Sequence, residues 1–385
     1  MTRESDTECM LRAIGLARLG GGWVNPNPQV GCVIVRDQPS TSTYSEDPEV
    51  PVRIIGEGYH HAFGKPHAER EALADCYARG EDPEGATVYV TLEPCAHHGK
   101  TPPCADALVE ARVGRVVVGS SDPNPLVAGK GVAKLEEAGI DVVTGFMREE
   151  CDALNEPFFH HIRTGMPLVV AKYAMTLDGR IATVTGKSRW ITGKAARERV
   201  HEDRSRYAAI MVGVGTVIAD DPMLNVRLGG DPHQPTRVVV DSRLRTPIDS
   251  RLVLTACDQP TVIVTTNAEP AAQRPYLEHG CEVIVVGGKA LEEGATSGDD
   301  ARVDLRKALE ALGERGVDSV ILEGGRTLLD AAFDEGVVDK VQAYVAPKVF
   351  AGVDEPDDAT RLSNVSMTMV GEDVLVQGDC RHPTG

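Results

Sequence analysis

The sequence lacks an apolar run long enough to cross a membrane. Its most apolar stretch, IMVGVGTVIADD at residues 210–221, contains glycines and ends at two aspartates, well short of the ~20 residues that a spanning helix needs. The first residues, MTRESDTECM, also lack the apolar segment of a signal peptide. No membrane role is therefore indicated, and we expect a cytoplasmic protein.

The sequence also lacks a paired cysteine framework and a basic cluster. Its nine cysteines are an odd number and are scattered along the chain, which favours a reducing compartment. The 40 lysines and arginines are outnumbered by 58 aspartates and glutamates, and the net charge is -18. Such a surface repels polyphosphate backbones, so nucleic acid is not an expected partner.

The pattern of apolar residues predicts two α/β domains. Short β-branched runs alternate with helical stretches through residue 150, which is typical of βαβ units and predicts a largely parallel sheet. The alternation restarts after NEPFFHHIRTGMP, so we predict domains at 1–150 and 167–385 joined by a linker at 151–166. The polar segment from Asp37 to Pro51 is predicted to be an exposed loop between the first two strands.

Three residues with metal-binding side chains follow one another in the first domain: His67 in GKPHAERE, Cys95 in LEPCAHHG and Cys104 in TPPCADA. One imidazole and two thiolates leave one tetrahedral position of a zinc ion open, which is typical of a catalytic site. Glu69 follows His67 by two positions, as does the proton-shuttling carboxylate of zinc deaminases. Prolines before both ligand-bearing helices place helix N-termini toward the metal. These residues predict a catalytic zinc site.

The loop AHHGKTPP between the two cysteines is longer than the PCxxC spacing of cytidine and nucleic-acid deaminases. Lys100 could offer its charge to a substrate phosphate, with His97 and Thr101 as hydrogen-bond donors. A merely solvated lysine is the alternative, and the residues leave both interpretations open.

In the second domain, two strand-to-helix turns contain glycines, in IMVGVGTVIADD and in VILEGGRTLLDAAF. Gly324 and Gly325 would let backbone N–H groups approach a phosphate at a helix N-terminus, with Arg326 adding charge. Tight packing also explains such a turn, so cofactor binding stays open at this point. A GxGxxG turn followed by an acidic residue about twenty positions later is missing, so a standard Rossmann domain is not supported.

Several motifs resemble the bifunctional deaminase/reductases of riboflavin biosynthesis. They are NPNPQVGCVIV, LEPCAHHGKTPPC and SDPNPLVAGKG in the first domain, and MTLDGR, SRWITG, GVGTVIADDPMLNVR, VVVDS and ILEGG in the second. The resemblance covers nearly the whole chain. It implies a cytidine-deaminase-like three-layer domain followed by a dihydrofolate-reductase-like domain.

The resemblance also implies two consecutive reactions. The first is zinc-dependent hydrolytic deamination of 2,5-diamino-6-ribosylamino-4(3H)-pyrimidinone 5′-phosphate. The second is NADPH-dependent reduction of the ribosyl side chain to ribityl, which gives 5-amino-6-ribitylaminouracil 5′-phosphate. The expected partners are therefore a small phosphorylated pyrimidine and, for the protein itself, further copies in a homo-oligomer.

The resemblance assigns roles to residues in both domains. It makes His67, Cys95 and Cys104 the zinc ligands and Glu69 the proton donor. Further substrate contacts in the first domain are Asn25, His60, His97, Lys100 and Thr101. The cofactor-binding positions of the second domain are Ala174, Trp190, Thr216, Asp220, Ser242 and Gly325. Its substrate-binding positions are Ser188, Arg204, Leu224, Arg227 and Glu323.

Some questions stay open at the level of sequence. The proton donor of the reduction is one of Lys172, Asp178 and Glu323. A nucleic-acid-editing deaminase is an alternative for the first domain, although the acidic charge and the attached reductase-like half oppose it. A second alternative is a non-catalytic zinc module attached to a lone reductase, which would release no ammonia.

Overall fold

The computed structural model describes residues 4–37, 52–96, 102–124, 128–186, 190–289, 302–370 and 373–381. These residues form two compact units. One comprises Met1–Leu168 with Leu309–Ser319, and the other comprises Val169–Ala308 with Val320–Gly385. Among the described residues, no helix combines the length and the apolar character needed to span a bilayer.

The first unit contains a five-stranded sheet with helices on both faces. Its elements are α1 (Glu4–Ala17), β1 (Gly31–Asp37), β2 (Val52–Tyr59), α2 (Ala68–Ala78), β3 (Thr87–Leu92), α3 (Cys104–Glu110), β4 (Arg115–Ser120), α4 (Lys130–Glu137), β5 (Asp141–Val143), α5 (Arg148–Leu154) and α6 (Glu156–Thr164). A short 3₁₀ helix, Gly21–Val24, follows α1. The strand order is β2-β1-β3-β4-β5.

Alternate residues of β1 point to opposite faces of this sheet, as the period of two in a strand requires. Cys32 and Ile34 join a core with buried residues of α2, α3 and α4. Val33 and Val35 join a second core with α1 and with Cys151 of α5. The sheet is therefore covered on both faces, and the predicted three-layer domain is confirmed.

The prediction of a largely parallel sheet is wrong for one edge of the first unit. Strand β1 pairs antiparallel with both β2 and β3, whereas β3, β4 and β5 pair in parallel. The reason lies in the connection between β1 and β2, because a loop without a crossover helix joins neighbouring strands in opposite directions. The alternation of strand and helix holds only from β2 onward.

The second unit is built around a seven-stranded sheet. Its strands and helices, together with α11, are β6 (Leu168–Thr176), α7 (Lys194–Arg206), β7 (Ala209–Gly213), α8 (Val214–Asp220), β8 (Thr236–Val240), α9 (Arg251–Leu254), β9 (Thr261–Thr265), α10 (Pro270–Glu278), β10 (Glu282–Val285), β11 (Gly288–Lys289), β12 (Arg302–Val303), α11 (Leu305–Gly313), β13 (Ser319–Glu323), α12 (Arg326–Asp334), β14 (Lys340–Ala346), β15 (Lys348–Val349), β16 (Thr360–Val370) and β17 (Asp373–Arg381). A 3₁₀ helix, Pro356–Asp358, precedes β16.

The large sheet has the order β10-β9-β8-β7-β13-β6-β14. The pairings along β10-β9-β8-β7-β13 and the pairing of β6 with β14 are parallel, as the alternation of strand and helix predicts. Central strands such as β7 read as continuous apolar runs because both of their faces are buried. Strands β15, β16 and β17 form a separate antiparallel sheet, and β11 pairs with β12.

Two parts of the fold were not predicted as regular structure. Helices α5 and α6 occupy most of residues 151–166, where the sequence predicted a linker. Strand β16 was also missed, because its sequence TRLSNVSMTMV mixes polar and apolar residues and its described side chains are mostly exposed. The domain boundaries themselves stay a prediction.

A glycine of β2 lets α2 lie directly against the sheet. An added Cβ at Gly58 would lie 2.3 Å from the backbone N of Ala72 and 2.6 Å from the carbonyl O of Ala68. Gly58→Ala should therefore push α2 away and lower the free energy of unfolding by about 1–3 kcal/mol. Gly15→Ala in α1 is the control, since no atom lies within 4 Å of its added Cβ. Thermal unfolding measures both; equal midpoints would contradict the close approach.

Candidate active sites

The three predicted metal ligands lie together in the first unit. The ligand atoms of His67, Cys95 and Cys104 all lie within 4.8 Å of one another. Nδ1 of His67 is 3.6 Å from Sγ of Cys95 and 3.4 Å from Sγ of Cys104. Ordinary Zn–N and Zn–S bonds in a tetrahedron separate nitrogen and sulfur by about 3.5 Å. The three side chains therefore fit a zinc ion with one position left for another ligand.

Each of these side chains stands at the end of a secondary-structure element. His67 is the N-cap residue of α2, Cys95 follows β3, and Cys104 is the first residue of α3. The backbone N–H of Cys104 donates to Sγ of Cys95 at 3.3 Å, so the first turn of α3 favours a thiolate there. Because both helices begin at the ligands, small shifts of α2 or α3 would change the geometry of the whole set.

Glu69 lies in the first turn of α2 and is only 3% exposed. Burial raises the pKa of its carboxyl to about 7, and the negative charge of Cys95 adds to the rise. A hydrogen bond from Cys104 lowers the pKa of Cys95 to about 4, while the same contact and burial raise the pKa of Cys104. A bound cation would favour the thiolate at both sulfurs.

His60, a predicted substrate contact, lies beside His67, with a distance of 5.3 Å between the ring centroids. Its Nδ1 is 3.0 Å from the carbonyl O of Pro66, and its Nε2 is 3.1 Å from Nδ2 of Asn27. Since a carbonyl only accepts, Nδ1 carries the proton and Nε2 accepts from Asn27. Burial lowers the pKa of His60, which favours this neutral form. His60 thus fixes the residue that precedes His67.

The other predicted contacts of the first unit differ in what the structure says of them. The side-chain Nδ2 of Asn25 is buried and finds no hydrogen-bond partner among the described residues, so it offers a donor. His97, Lys100 and Thr101 lie outside the described residues, as does Ser188 in the second unit.

Sequence analysis missed two charged residues next to the ligands. Arg70 donates from Nε and from one terminal nitrogen to the carbonyl groups of Pro102 and Pro103, at 3.1 Å each, and so holds the approach to Cys104. Glu93 is buried close to Cys95. Their proximity to predicted ligands was the available signal, but a charged side chain is usually solvated, and only burial and contacts set these two apart.

In the second unit, Glu323 at the end of β13 is the centre of a buried charged cluster. Arg204 donates to both carboxylate oxygens at 2.8 and 2.9 Å, and Nζ of Lys172 lies 3.5 Å away. Burial alone would raise the pKa of Glu323, but Arg204 and Lys172 outweigh it and lower the pKa to about 2. The carboxylate is therefore ionised at neutral pH.

The two arginines predicted for the substrate phosphate are placed differently. The third guanidinium nitrogen of Arg204 donates to the carbonyl O of Asn225 at 3.3 Å, so every nitrogen of this side chain is engaged within the protein. Arg227 is exposed and donates to Oδ1 of Asn225 from one nitrogen at 3.1 Å. Its guanidinium is the one that keeps donors for a phosphate.

The structure separates the three candidates for the proton donor. Nζ of Lys172 lies beside Glu323 and 5.6 Å from the ring centroid of Tyr344. Asp178 instead accepts from the backbone N–H groups of Phe350 and Ala351, at 3.1 and 3.0 Å. Asp178 therefore holds a loop, whereas Lys172 and Glu323 form an adjacent acid and base.

The predicted cofactor positions include one close pair. The N–H of Gly325 donates to Oγ1 of Thr216 at 3.1 Å, and Gly324 has a φ of +120°. A Cβ at Gly324 would lie 2.8 Å from the same hydroxyl oxygen. The glycine pair is thus needed both for its backbone conformation and for the approach of α8 to the start of α12.

The remaining predicted positions lie on several elements of the second unit. Ala174 is in β6, Asp220 ends α8, and Leu224 is buried with a φ of +50°. Oγ of Ser242 accepts from the N–H of Val303 at 3.1 Å. Trp190 is exposed, and the guanidinium of Arg197 lies 4.5 Å from its ring centroid.

Comparison with known protein families gives two matches. Residues 3–120 match the zinc-binding region of cytidine and deoxycytidylate deaminases, and residues 167–376 match the RibD C-terminal domain. The riboflavin biosynthesis protein RibD of Actinobacillus pleuropneumoniae is 46% identical over 97% of this chain and 94% of its own length. That of Escherichia coli is 37% identical over 99% of both chains. The chain belongs to the RibD family.

Solved structures agree with this membership. Acinetobacter baumannii RibD superimposes with a TM-score of 0.76 and 36% identity, covering 98% of this chain and 99% of its own. A diaminohydroxyphosphoribosylaminopyrimidine deaminase/5-amino-6-(5-phosphoribosylamino)uracil reductase from Thermotoga maritima gives 0.75 and 35%, covering 96% of both. The predicted resemblance and both predicted domain folds are confirmed.

Membership in the RibD family also confirms the predicted enzyme class and cofactors. The chain is a bifunctional deaminase and reductase of riboflavin biosynthesis. The matched deaminase region is zinc-binding, and the reductase of RibD proteins uses NADPH. The roles of individual residues are a separate matter and stay predictions.

Glu323→Gln should destabilise the second unit by about 3–5 kcal/mol at neutral pH, because it leaves the buried guanidinium of Arg204 without its counter-ion. The folded pKa of Glu323 is below the model value of 4.5, so this stabilisation is complete above about pH 4.5 and is lost as the pH falls toward about 2. Urea unfolding at pH 7 and pH 3 should therefore show a smaller difference from wild type at pH 3.

The matched control is Glu278→Gln. Glu278 pairs with Arg274 on the exposed surface of α10, so its loss should cost less than about 1 kcal/mol at either pH. Equal effects of the two substitutions, or a Glu323→Gln effect that does not depend on pH, would show that the buried pair does not stabilise the unit as argued.

Proposed function

We propose that His67, Cys95, Cys104 and Glu69 carry out the deamination, and that Lys172, Glu323 and Arg227 serve the reduction. The substrate is a ribosylaminopyrimidine 5′-phosphate, deaminated first and reduced second. The observation that carries this proposal is the convergence of one imidazole and two sulfurs within 4.8 Å, next to a buried carboxyl group. We place the deaminase in residues 1–150 and the reductase in residues 167–385, with 151–166 between them.

In the deaminase, the chain's own groups bind the substrate and move protons. A zinc ion held by His67, Cys95 and Cys104 supplies Lewis-acid activation of the attacking water. The raised pKa of Glu69 suits a group that takes up a proton at neutral pH and returns it to the departing ammonia. The unused amide N–H of Asn25 is a donor for the pyrimidine.

In the reductase, the ionised Glu323 keeps Lys172 protonated and in place. NADPH supplies the hydride that reduces C1′ after the ribosyl ring has opened. The ammonium group of Lys172 is then the proton donor, because Asp178 is held by backbone N–H groups elsewhere in the unit. Arg227 binds the substrate phosphate, while Arg204 keeps Glu323 ionised rather than contacting the substrate.

The remaining proposals concern the surroundings of the protein. The net charge of -18 supports an enzyme of small molecules that does not bind nucleic acid. We propose a cytoplasmic location and a homo-oligomeric assembly, in line with the reducing environment that nine scattered cysteines favour.

Glu69→Gln separates the two activities. Ammonia release from the diaminopyrimidine ribotide should fall by at least about 10²-fold, since the proton carrier is lost. Hydride transfer from NADPH to an already deaminated substrate should stay at the wild-type rate. Glu71→Gln, two residues later on α2, is the control and should leave both rates unchanged. Loss of both activities in Glu69→Gln would contradict separate sites.

His67→Ala tests the metal set. The variant should lose zinc in metal analysis and should release no ammonia, because two sulfurs alone hold the ion weakly. Reduction of the deaminated substrate should persist. Zinc bound at the wild-type level in His67→Ala would remove this histidine from the ligand set, and wild-type zinc with no ammonia release in the unmodified protein would favour a non-catalytic module.

A further inference from the structure

A second buried glutamate of the first unit takes no part in the chemistry above. Glu93 is 5% exposed and stands two residues before Cys95. It makes no ion pair with any residue that the structure describes. A buried carboxylate without a cation must be stabilised by hydrogen-bond donors, or it would cost several kcal/mol.

Backbone N–H groups take that role. Oε1 of Glu93 accepts from Gly131 at 3.1 Å and from Val132 at 3.4 Å. Oε2 accepts from Gly129 at 3.1 Å and from Asp122 at 3.5 Å. Each oxygen therefore has two donors, and all of them are main-chain groups with fixed positions.

Most of these donors belong to the beginning of α4. Gly129 is the N-cap residue of this helix, and no side-chain hydrogen bond of its own caps the helix. The free N–H groups of a first turn carry partial positive charge and favour an anion. The carboxylate of Glu93 therefore caps a helix that is distant in sequence and joins the end of β3 to it.

The next residue is held against the same helix. A Cβ at Gly131 would lie 1.8 Å from the carbonyl O of Pro94, so main chain meets main chain there. Beyond it, the carbonyl O of Cys95 accepts from the N–H of Ala105 in α3 at 3.1 Å. Glu93 and Pro94 on one side and α3 on the other leave the backbone of Cys95 little freedom.

We propose that Glu93 is a positioning residue for the metal site: it fixes the end of β3 on α4 and so sets the place of the Cys95 sulfur. This inference rests on the proposed zinc site. Groups that orient metal ligands from behind typically contribute 10–100-fold to metal affinity. If Glu93 only caps α4, its loss lowers stability and leaves the zinc affinity of the folded protein unchanged.

Glu93→Gln tests the proposal. The amide group of glutamine places N–H donors against main-chain N–H groups, so the end of β3 should shift. The zinc dissociation constant, measured by competition with a chromophoric chelator, should rise about 10–100-fold. The visible absorption of the cobalt-substituted protein should also change, because these bands report the geometry of the sulfur ligands.

Leu135→Val is the matched control. Leu135 is fully buried in α4 and should cost about 0.5–1.5 kcal/mol when shortened, but it does not touch the Cys95 segment. The control should lower the unfolding midpoint while keeping wild-type zinc affinity and cobalt spectrum. If Glu93→Gln behaves in the same way, the glutamate is only a helix cap and the proposal is overturned.

Gly131→Ala approaches the same contact from the other side and decides the question if Glu93→Gln cannot be obtained folded. Its methyl group displaces the Pro94 carbonyl but keeps the carboxylate, and zinc affinity should again fall; wild-type affinity would overturn the proposal. His67→Ala, measured in parallel, separates the two levels of inference. Lost binding in His67→Ala with normal binding in Glu93→Gln refutes only the role of Glu93, whereas normal binding in His67→Ala refutes the metal site itself.

Discussion

Both halves of this enzyme depend on carboxylates that are kept away from water, and the groups around each carboxylate decide what it can do. Glu69, Glu93 and Glu323 are all nearly inaccessible to solvent. Glu69 has no arginine or lysine among its described contacts, and burial raises its pKa to about 7, where a proton can come and go. Glu323 faces Arg204 and Lys172, which keep it charged. Glu93 is bound by main-chain N–H groups and holds the chain in place.

The three arrangements divide the work between chemistry and support. A carboxyl group with a pKa near neutrality exchanges protons, and a carboxylate next to an ammonium group fixes the protonation state of its neighbour. A carboxylate surrounded by N–H groups of the backbone has directional bonds and suits a fixed joint. Residues of one type therefore serve three purposes, because the fold gives each one a different set of partners.

The sequence indicated the metal ligands and Glu69 because short motifs carry them, and it indicated most strands because buried strands are continuous apolar runs. The antiparallel edge at β1 was missed, since periodicity does not show the direction of a strand. Strand β16 was missed because its described side chains are mostly exposed. Glu93, Arg70 and the pairing of Arg204 with Glu323 depend on contacts between residues far apart in the chain, and no spacing rule reports them.

The position of the buried charges also bears on how the enzyme meets different salt conditions. The excess of acidic residues lies mostly on the surface, where ions in solution screen each charge within about 10 Å at 0.1 M ionic strength. Main-chain N–H groups around Glu93 and the enclosed contacts of Glu323 are shielded from those ions. Surface charge could therefore change widely during evolution, or with the ionic strength of the cell, while the internal geometry of both catalytic centres stays the same.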